Sequence, residues 1–293
     1  MPPMRRWYRS VDMIAVCPNP FRDIDCRITR EIISRLEEAG FTTCFCPLFL
    51  DEGSPSLPAD LKSMNLSAVA DRCRMVVVVG GDGTILEAAR QLHNTTVPVL
   101  GVNLGTKGFM TTLEPGELDW VVPAAQGKLH LSRRMKLDVS VIRDGKLLLS
   151  DSALNDAVMH GYGDCIKMTV CCNGDRMARF SGDGVILSTP TGSTGYSMSA
   201  GGPIVEPDAE NIIITPICPH VMGLRSFVLG PDREVSVRME KLHGRRAYLS
   251  LDGNSVLDLA NEDIVLVKRS QNCTLMVDAG LRSFYEIIYE KLR

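Results

Sequence analysis

An acidic residue enclosed by glycines is the feature of this chain whose type and spacing best fit chemistry. Gly80, Gly81 and Gly83 surround Asp82, and Thr84 follows as the expected N-cap of a helix. Glycines let the backbone turn tightly, and the amides at a helix start can bind phosphate oxygens. A carboxylate there would repel phosphate unless it binds Mg²⁺ or accepts a proton from an attacking hydroxyl. We therefore predict a phosphate loop with a functional Asp82, rather than an Asp that only supports a turn.

Two further polar segments are candidates for nucleotide binding. The segment Gly101–Gly108 reads GVNLGTKG and is weak evidence alone, because it fits neither a Walker A loop nor a dinucleotide fingerprint. The segment Ser181–Pro207 is rich in Thr, Ser and Gly, so it offers many hydroxyl and amide donors with little bulk. Within it, Tyr196 could stack on a base or donate to a phosphate, and Gly195 leaves room for a base.

Composition and charge exclude several classes of protein. The net charge of −3 over 293 residues gives no argument for a nucleic-acid or membrane partner. The ten cysteines include no CxxC pair, and the five histidines have no metal-ligand spacing. We expect reduced thiols in a cytoplasmic protein. No apolar run approaches the ~18 residues of a spanning helix, and no apolar segment follows Arg5, Arg6 and Arg9 to make a signal peptide.

The first part of the chain alternates strand and helix patterns. The run Met75–Val79 is apolar throughout, which is typical of a strand buried on both faces of a parallel sheet. Strand–helix–strand order predicts right-handed βαβ units, with ligands at the carboxyl ends of the strands. The other predicted elements are strands at Met13–Cys17, Phe41–Phe49 and Val97–Val102 and helices at Ile28–Ala39 and Ile85–Leu92.

The second part reads as mostly antiparallel β-structure. Asp144-Gly145 and Asn173-Gly174 each separate two strand-like runs, which is a strong hairpin signal. The other predicted strands are Val185–Ser188, Val235–Met239, Ala247–Leu251 and Ile264–Lys268.

The patterns together predict an α/β plus all-β fold. Residues 1–125 would form an N-terminal α/β domain with a parallel sheet and the glycine loop. Residues 126–275 would form a C-terminal antiparallel β domain that cradles a dinucleotide. Residues 276–293 contain a helical pattern at Phe284–Leu292 and would pack back on the first domain.

Five segments, in this order along the chain, resemble those of the NAD kinase family. The run Thr189–Pro203 (TPTGSTGYSMSAGGP) is the most specific, whereas the GGDGT segment is also found in lipid kinases and phosphofructokinases. The matching segments are 80–84 (GGDGT), 101–110 (GVNLGTKGFM), 154–156 (LND), Thr189–Pro203 and 215–229 (TPICPHVMGLRSFVL).

The resemblance implies an enzyme that converts NAD to NADP. ATP is the expected phosphoryl donor, with a divalent metal, Mg²⁺ above all. The family folds as an N-terminal α/β domain and a C-terminal β domain, with the dinucleotide bound between them. It assembles as homodimers or tetramers in which a neighbouring subunit completes the site.

The resemblance also implies roles for individual residues. Asp82 would be the catalytic residue that faces the 2′-hydroxyl of the adenosine ribose, and Gly83 would lie against the same sugar. Asn155 and Asp156 would bind the dinucleotide, although Asp156 stands where the family often has Glu, and Gly195 where it often has Ala. The positions expected to contact the dinucleotide are Gly83, Asn155, Asp156, Lys167, Ser181, Asp183, Thr194, Gly195, Tyr196, Ser199 and Asn254.

Two other functions fit part of the pattern. A lipid kinase of the diacylglycerol type shares the glycine loop, but it would need a basic or apolar surface facing a membrane. A dinucleotide-binding regulator without catalysis would keep the Ser181–Pro207 segment, but it would not need Asp82.

Overall fold

A computed structural model of the chain describes residues 13–50, 53–93, 95–105, 108–221 and 223–293. Arg5, Arg6 and Arg9, together with Thr106, Lys107 and Met222 of the motifs above, lie outside the described residues. The chain divides into two compact units. The first contains the described residues up to Arg133 together with Thr274–Arg293, and the second is Arg134–Cys273. The sequence patterns predicted the boundary between the first and second domains at residue 125, rather than after Arg133.

The first unit is built on a parallel sheet in the order β2-β1-β3-β4. All six residues of β3 are buried, as its apolar composition predicts. Val16, Val77 and Leu100 from three strands pack in one core with Ile32 of α1. Its elements in chain order are β1 (Met13–Pro18), α1 (Arg27–Glu38), β2 (Thr42–Phe45), α2 (Leu66–Val69), β3 (Met75–Gly80), α3 (Asp82–Leu92), β4 (Val99–Asn103) and α4 (Val121–Ala125).

The second unit consists of antiparallel strands around one core. A six-stranded sheet has the order β12-β11-β10-β7-β14-β15, and β13 pairs with β8 and β16 in the other sheet. Residues of both sheets, such as Met159, Leu187 and Val237, share the core. The first residues of β5 and the last of β16 belong to the first unit. The strands and helix are β5 (His130–Arg143), β6 (Lys146–Ala153), β7 (Asp156–Gly161), β8 (Ile166–Cys172), β9 (Asp175–Gly182), β10 (Gly184–Ser188), α5 (Tyr196–Ser199), β11 (Ile212–Ile217), β12 (Phe227–Leu229), β13 (Glu234–Met239), β14 (Ala247–Leu251), β15 (Asn254–Leu259) and β16 (Ile264–Asp278).

The terminal helix α6 (Phe284–Lys291) belongs to the first unit. Ser283 caps it, because its hydroxyl accepts from the Glu286 amide. Arg282, just before the helix, forms two hydrogen bonds to the carboxylate of Glu117. None of the helices in the described ranges is long and apolar enough to cross a membrane.

The predicted fold class is confirmed, and both hairpins form where the Asp-Gly and Asn-Gly pairs place them. Asp144 and Asn173 both have a φ of 49°, the left-handed backbone that these tight turns require. The predicted strand Phe41–Phe49 is wrong in length. β2 ends at Phe45, two residues before Pro47, which has no backbone N–H for a ladder.

Candidate active site

Asp82 lies where β3 ends and α3 begins, at the carboxyl end of the parallel sheet. Gly81 is the N-cap, and Asp82 is the first residue of the helix. The predicted cap at Thr84 is wrong, because Thr84 is the third helical residue and its Oγ1 accepts from the Gly81 N–H at 3.2 Å. A Cβ on Gly80 would lie 2.3 Å from that hydroxyl, so the turn needs glycine there. The Thr84 N–H donates to the Gly81 carbonyl at 2.9 Å, whereas the amides of Asp82 and Gly83 precede the first hydrogen bond of the helix, where amides can bind a ligand.

The second glycine segment positions the Asp82 carboxylate. Oδ2 accepts from the Phe109 N–H at 2.8 Å, and Oδ1 accepts from the Met110 N–H at 3.1 Å. A Cβ on Gly108 would lie 2.1 Å from Oδ1. The segment that was weak evidence by itself therefore has a defined task, which is to orient Asp82.

The half-buried Asp82 lines a pocket of about 240 Å³ within the first unit. Two cations lie in the same pocket, Arg22 and Lys291, and the Lys291 Nζ is 4.1 Å from the centre of the Phe109 ring. Sequence reasoning missed both residues, because one lies far upstream of the loop and the other at the end of α6. A carboxylate beside two cations suits a site where phosphate is held next to a hydroxyl.

The same pocket contains oxygen atoms suited to a hard cation. No group of three or more His, Cys, Asp or Glu in the described ranges is arranged to hold a metal ion. Mg²⁺ commonly uses one or two protein oxygens together with substrate phosphates. Asp82 and the buried Oδ1 of Asn103, which has no hydrogen-bond partner, match that requirement.

In the second unit, Asn155 and Asp156 lie at the junction between β6 and β7. Their backbone amides both donate to Asp252, a residue that sequence reasoning did not select. Asp156 is buried, and burial followed by the neighbouring Asp252 charge raises its pKa to about 7. The Oδ1 of Asn155 is buried without a hydrogen-bond partner, which leaves it available to a ligand.

The Thr189–Pro203 segment packs directly against this junction. Thr189 Oγ1 donates to the Leu154 carbonyl at 2.6 Å. A Cβ on Gly192 would lie 2.1 Å from the Asn155 carbonyl oxygen, so only glycine fits. The pair and the segment, separate in sequence, are therefore brought together.

The expectation that this segment offers many free hydroxyls is wrong in part. Ser193 and Ser197 are fully buried, and Ser197 hydrogen-bonds Thr215. The segment also folds into a short 3₁₀ helix over Thr191–Thr194 and into α5. Thr194 is half-buried and Ser199 is exposed, and a Cβ on Gly195 would lie 3.6 Å from the Asn155 Nδ2.

Tyr196 is 42% exposed at the start of α5 and lies close to other candidate residues. Its pKa is raised by burial, and then by Tyr248, Asp183 and, further down, Asp156. Tyr248, which sequence reasoning missed, contacts the Tyr162 ring with centroids 4.6 Å apart. Tyr248, Asp183 and Asp156 are therefore close enough to Tyr196 to influence its ionisation.

Lys167, Ser181 and Asn254 lie on hairpins. Lys167 and Ser181 are paired across β8 and β9; Lys167 is exposed and Ser181 half-buried. Asn254 is exposed and begins β15, two residues after Asp252 and opposite Leu251 of β14.

Family models and curated relatives match most of this chain in sequence. The family model for the ATP-NAD kinase N-terminal domain matches residues 19–124, and that for the C-terminal domain matches residues 154–279. An NAD kinase of Acetivibrio thermocellus is 34% identical over 95% of this chain and 96% of its own. One of Geobacter metallireducens is 40% identical over 77% of this chain and 80% of its own.

Solved structures of related kinases have the same fold as this chain. The yeast NADH kinase complexed with NADH superposes with a TM-score of 0.85 at 26% identity, covering 97% of this chain and 88% of that one. An NAD kinase from Archaeoglobus fulgidus in complex with ATP gives 0.71 at 27% identity, covering 94% and 98%. The chain belongs to the NAD kinase family.

Proposed function

We infer that the chain is an NAD kinase, a phosphotransferase that moves the γ-phosphoryl group of ATP to the 2′-hydroxyl of the adenosine ribose of NAD. The observation that carries this inference is the Asp82 carboxylate, held by two backbone amides at the edge of a glycine-lined pocket. A regulator without catalysis would have no use for a carboxylate fixed beside a phosphate loop.

Phosphoryl transfer depends on positioning and charge neutralisation more than on covalent help. We propose that Asp82 accepts a hydrogen bond from the ribose hydroxyl and holds it in line with the phosphorus. A carboxylate is a much weaker base than an alkoxide, so Asp82 takes the proton late, once the new bond is largely formed. Its two amide hydrogen bonds keep the carboxylate in place during that step.

The neighbouring groups would balance the charge of the donor. Arg22 and Lys291 line the Asp82 pocket and would lie against the phosphates. Gly80, Gly81 and Thr84 shape the start of α3, whose amides add partial positive charge. Mg²⁺ bound to the phosphates, Asp82 and Asn103 would supply further neutralisation.

The second unit would hold NAD through the Asn155–Asp156 junction and the surface around Tyr196. Gly83 would lie against the ribose. The residues proposed to contact the dinucleotide in the second unit are Asn155, Asp156, Lys167, Ser181, Asp183, Thr194, Gly195, Tyr196, Ser199 and Asn254. We further propose a homodimer or homotetramer in the cytoplasm.

The test is purified protein with ATP, Mg²⁺ and NAD, with NADP measured by an NADP-specific dehydrogenase. Asp82→Asn should keep NAD binding and lose turnover by at least about 10²-fold, the lower end for a positioned base. Asp119→Asn is the matched control, because that side chain is exposed in the same unit. Near-wild-type turnover in Asp82→Asn would refute the role.

Two arms separate the alternatives. Consumption of ATP with a lipid alcohol, but not with NAD, would favour a lipid kinase. Tight NAD binding without any ATP-dependent product would favour a regulator.

A further inference from the structure

The Asp252 carboxylate accepts hydrogen bonds from three consecutive backbone amides, those of Leu154, Asn155 and Asp156. Asp252 Oδ2 accepts from the Leu154 N–H at 2.8 Å, and Oδ1 accepts from the N–H groups of Asn155 at 2.6 Å and Asp156 at 3.1 Å. The Asp252 N–H donates in return to the Asp156 carbonyl at 3.0 Å. Successive amides that converge in this way form an anion-binding concavity, and here the anion is a side chain of the protein itself.

The turn that carries Asp252 is fixed by its own geometry. Asp252 and Gly253 have φ values of 49° and 83° and connect β14 to β15 in a tight hairpin turn. β14 also pairs with β7, with Leu251 opposite Ala157. The Asp252 carboxylate is therefore presented from a tight turn whose strand, β14, is paired with the strand that begins at Asp156.

Opposing influences act on the pKa of Asp252. Burial raises the pKa of Asp252, whereas the three amides and Lys136 act against that rise. Lys136 is itself only 3% exposed, so its charge is little screened by water. An Asn at position 252 would turn one acceptor oxygen into an NH₂ donor, which would face an amide that also donates.

A displacement of this segment would be transmitted to the nucleotide loop. The Asn155 carbonyl accepts from the Thr189 N–H at 2.9 Å, and it packs against Gly192, where even a Cβ would not fit. The Asn155 side chain and the start of the Thr189–Pro203 segment therefore move together with the backbone that Asp252 holds.

We propose that Asp252 is a positioning residue for NAD binding, which acts by fixing the backbone that presents Asn155 and Asp156. This inference rests on the proposed role of those two residues in holding NAD. It predicts that the affinity for NAD, rather than the fold or the chemical step, depends on Asp252.

The experiment compares Asp252→Asn and Asp252→Glu with Asp144→Asn. Asp144 occupies the same kind of Asp-Gly hairpin turn in the same unit, but it is exposed. We expect KM for NAD to rise about tenfold or more in both Asp252 variants, the equivalent of one lost charge-assisted hydrogen bond. The KM for ATP and kcat should stay within about twofold of wild type, and Asp144→Asn should change neither constant.

A merely structural role would give a different pattern. It would lower the melting temperature and the active fraction, but it would leave KM for NAD unchanged in the protein that folds. That result, or the failure of both Asp252 variants to fold, would overturn the proposal.

Asn155→Ala separates this proposal from the proposed function. If Asn155→Ala weakens NAD binding while the Asp252 variants do not, the function stands and the positioning role is refuted. If Asn155→Ala leaves NAD binding intact, the assignment of the pair itself is wrong, and the positioning role fails with it.

Discussion

A methyl group at position 108 would move the Asp82 carboxylate without touching Asp82 itself. The ideal Cβ of Gly108→Ala lies 2.1 Å from Asp82 Oδ1 and 2.5 Å from Thr111 Oγ1. Real Cβ contacts essentially never fall below 3.0 Å, so the carboxylate oxygen must retreat by about 1 Å. Gly108 has no left-handed φ, so its backbone tolerates alanine.

This displacement should separate activity from stability. A misplacement of about 1 Å at a reacting group can lower the rate by roughly 10²-fold, and we expect that loss in kcat. The displaced atoms are the ends of side chains, so the free energy of unfolding should fall by only about 1–3 kcal/mol. The assays are NADP formation at saturating ATP and NAD and urea unfolding. Gly116→Ala is the control, because nothing lies within 4 Å of its new methyl group.

A double variant tests whether the effect passes through Asp82. If Gly108→Ala acts only by moving the carboxylate, adding it to Asp82→Asn should cost little further activity, because effects on one interaction are not additive. Additive losses would mean that Gly108 acts on another part of the site. A kcat within about twofold of wild type in Gly108→Ala would refute the idea that the position of Asp82 limits turnover.

Three further outcomes follow from buried polar groups. The pKa of Asp156 is about 7 in the folded chain, above its ordinary value of 3.8. The free energy of unfolding of the wild type therefore falls as pH rises between these two pKa values, because the buried carboxyl must ionise. Relative to the wild type, the free energy of unfolding of Asp156→Asn, measured in urea, should increase by roughly 2 kcal/mol between pH 5 and 7. Thr84→Val removes the acceptor for the Gly81 amide and should lower the free energy of unfolding by about 1 kcal/mol. Asp263→Ala removes a fully buried carboxylate that accepts from Arg143 and should cost about 3 kcal/mol in thermal unfolding, whereas Asp60→Ala removes an exposed partner of Arg30 and should leave the melting temperature nearly unchanged.

Local sequence signals were sufficient to predict the strand and the turn that position Asp82. The apolar run at Met75–Val79 followed by three glycines specifies a buried strand and a sharp turn, and neither depends on distant contacts. The Asp144-Gly145 and Asn173-Gly174 turns are likewise local, because both positions need positive φ. The parallel and antiparallel parts of the fold could therefore be separated from sequence alone.

The partners of the site residues could not be predicted, because they are distant in sequence. Asp82 is oriented by amides 27 and 28 residues away, and Asn155 by a carboxylate 97 residues away. Composition also cannot show which hydroxyls of the Thr189–Pro203 segment are available to a ligand and which are buried in the interior. Ser197 and Ser199 are two residues apart on a short helix, yet one is fully buried and the other is exposed.

The Asp-Gly pairs of the chain show why residue type alone does not identify function. Asp144 is exposed in a hairpin turn, and the turn requires only that this residue adopt a positive φ. Asp252 occupies the same kind of turn, but its carboxylate satisfies three amides, so its acceptor capacity serves the protein interior. Asp82 also accepts from two amides, but it lines a pocket that contains two cations. A carboxylate oxygen has two acceptor positions, so each Asp82 oxygen keeps one after accepting from an amide, and a ligand hydroxyl can bind there without competing with the contacts that hold the residue in place.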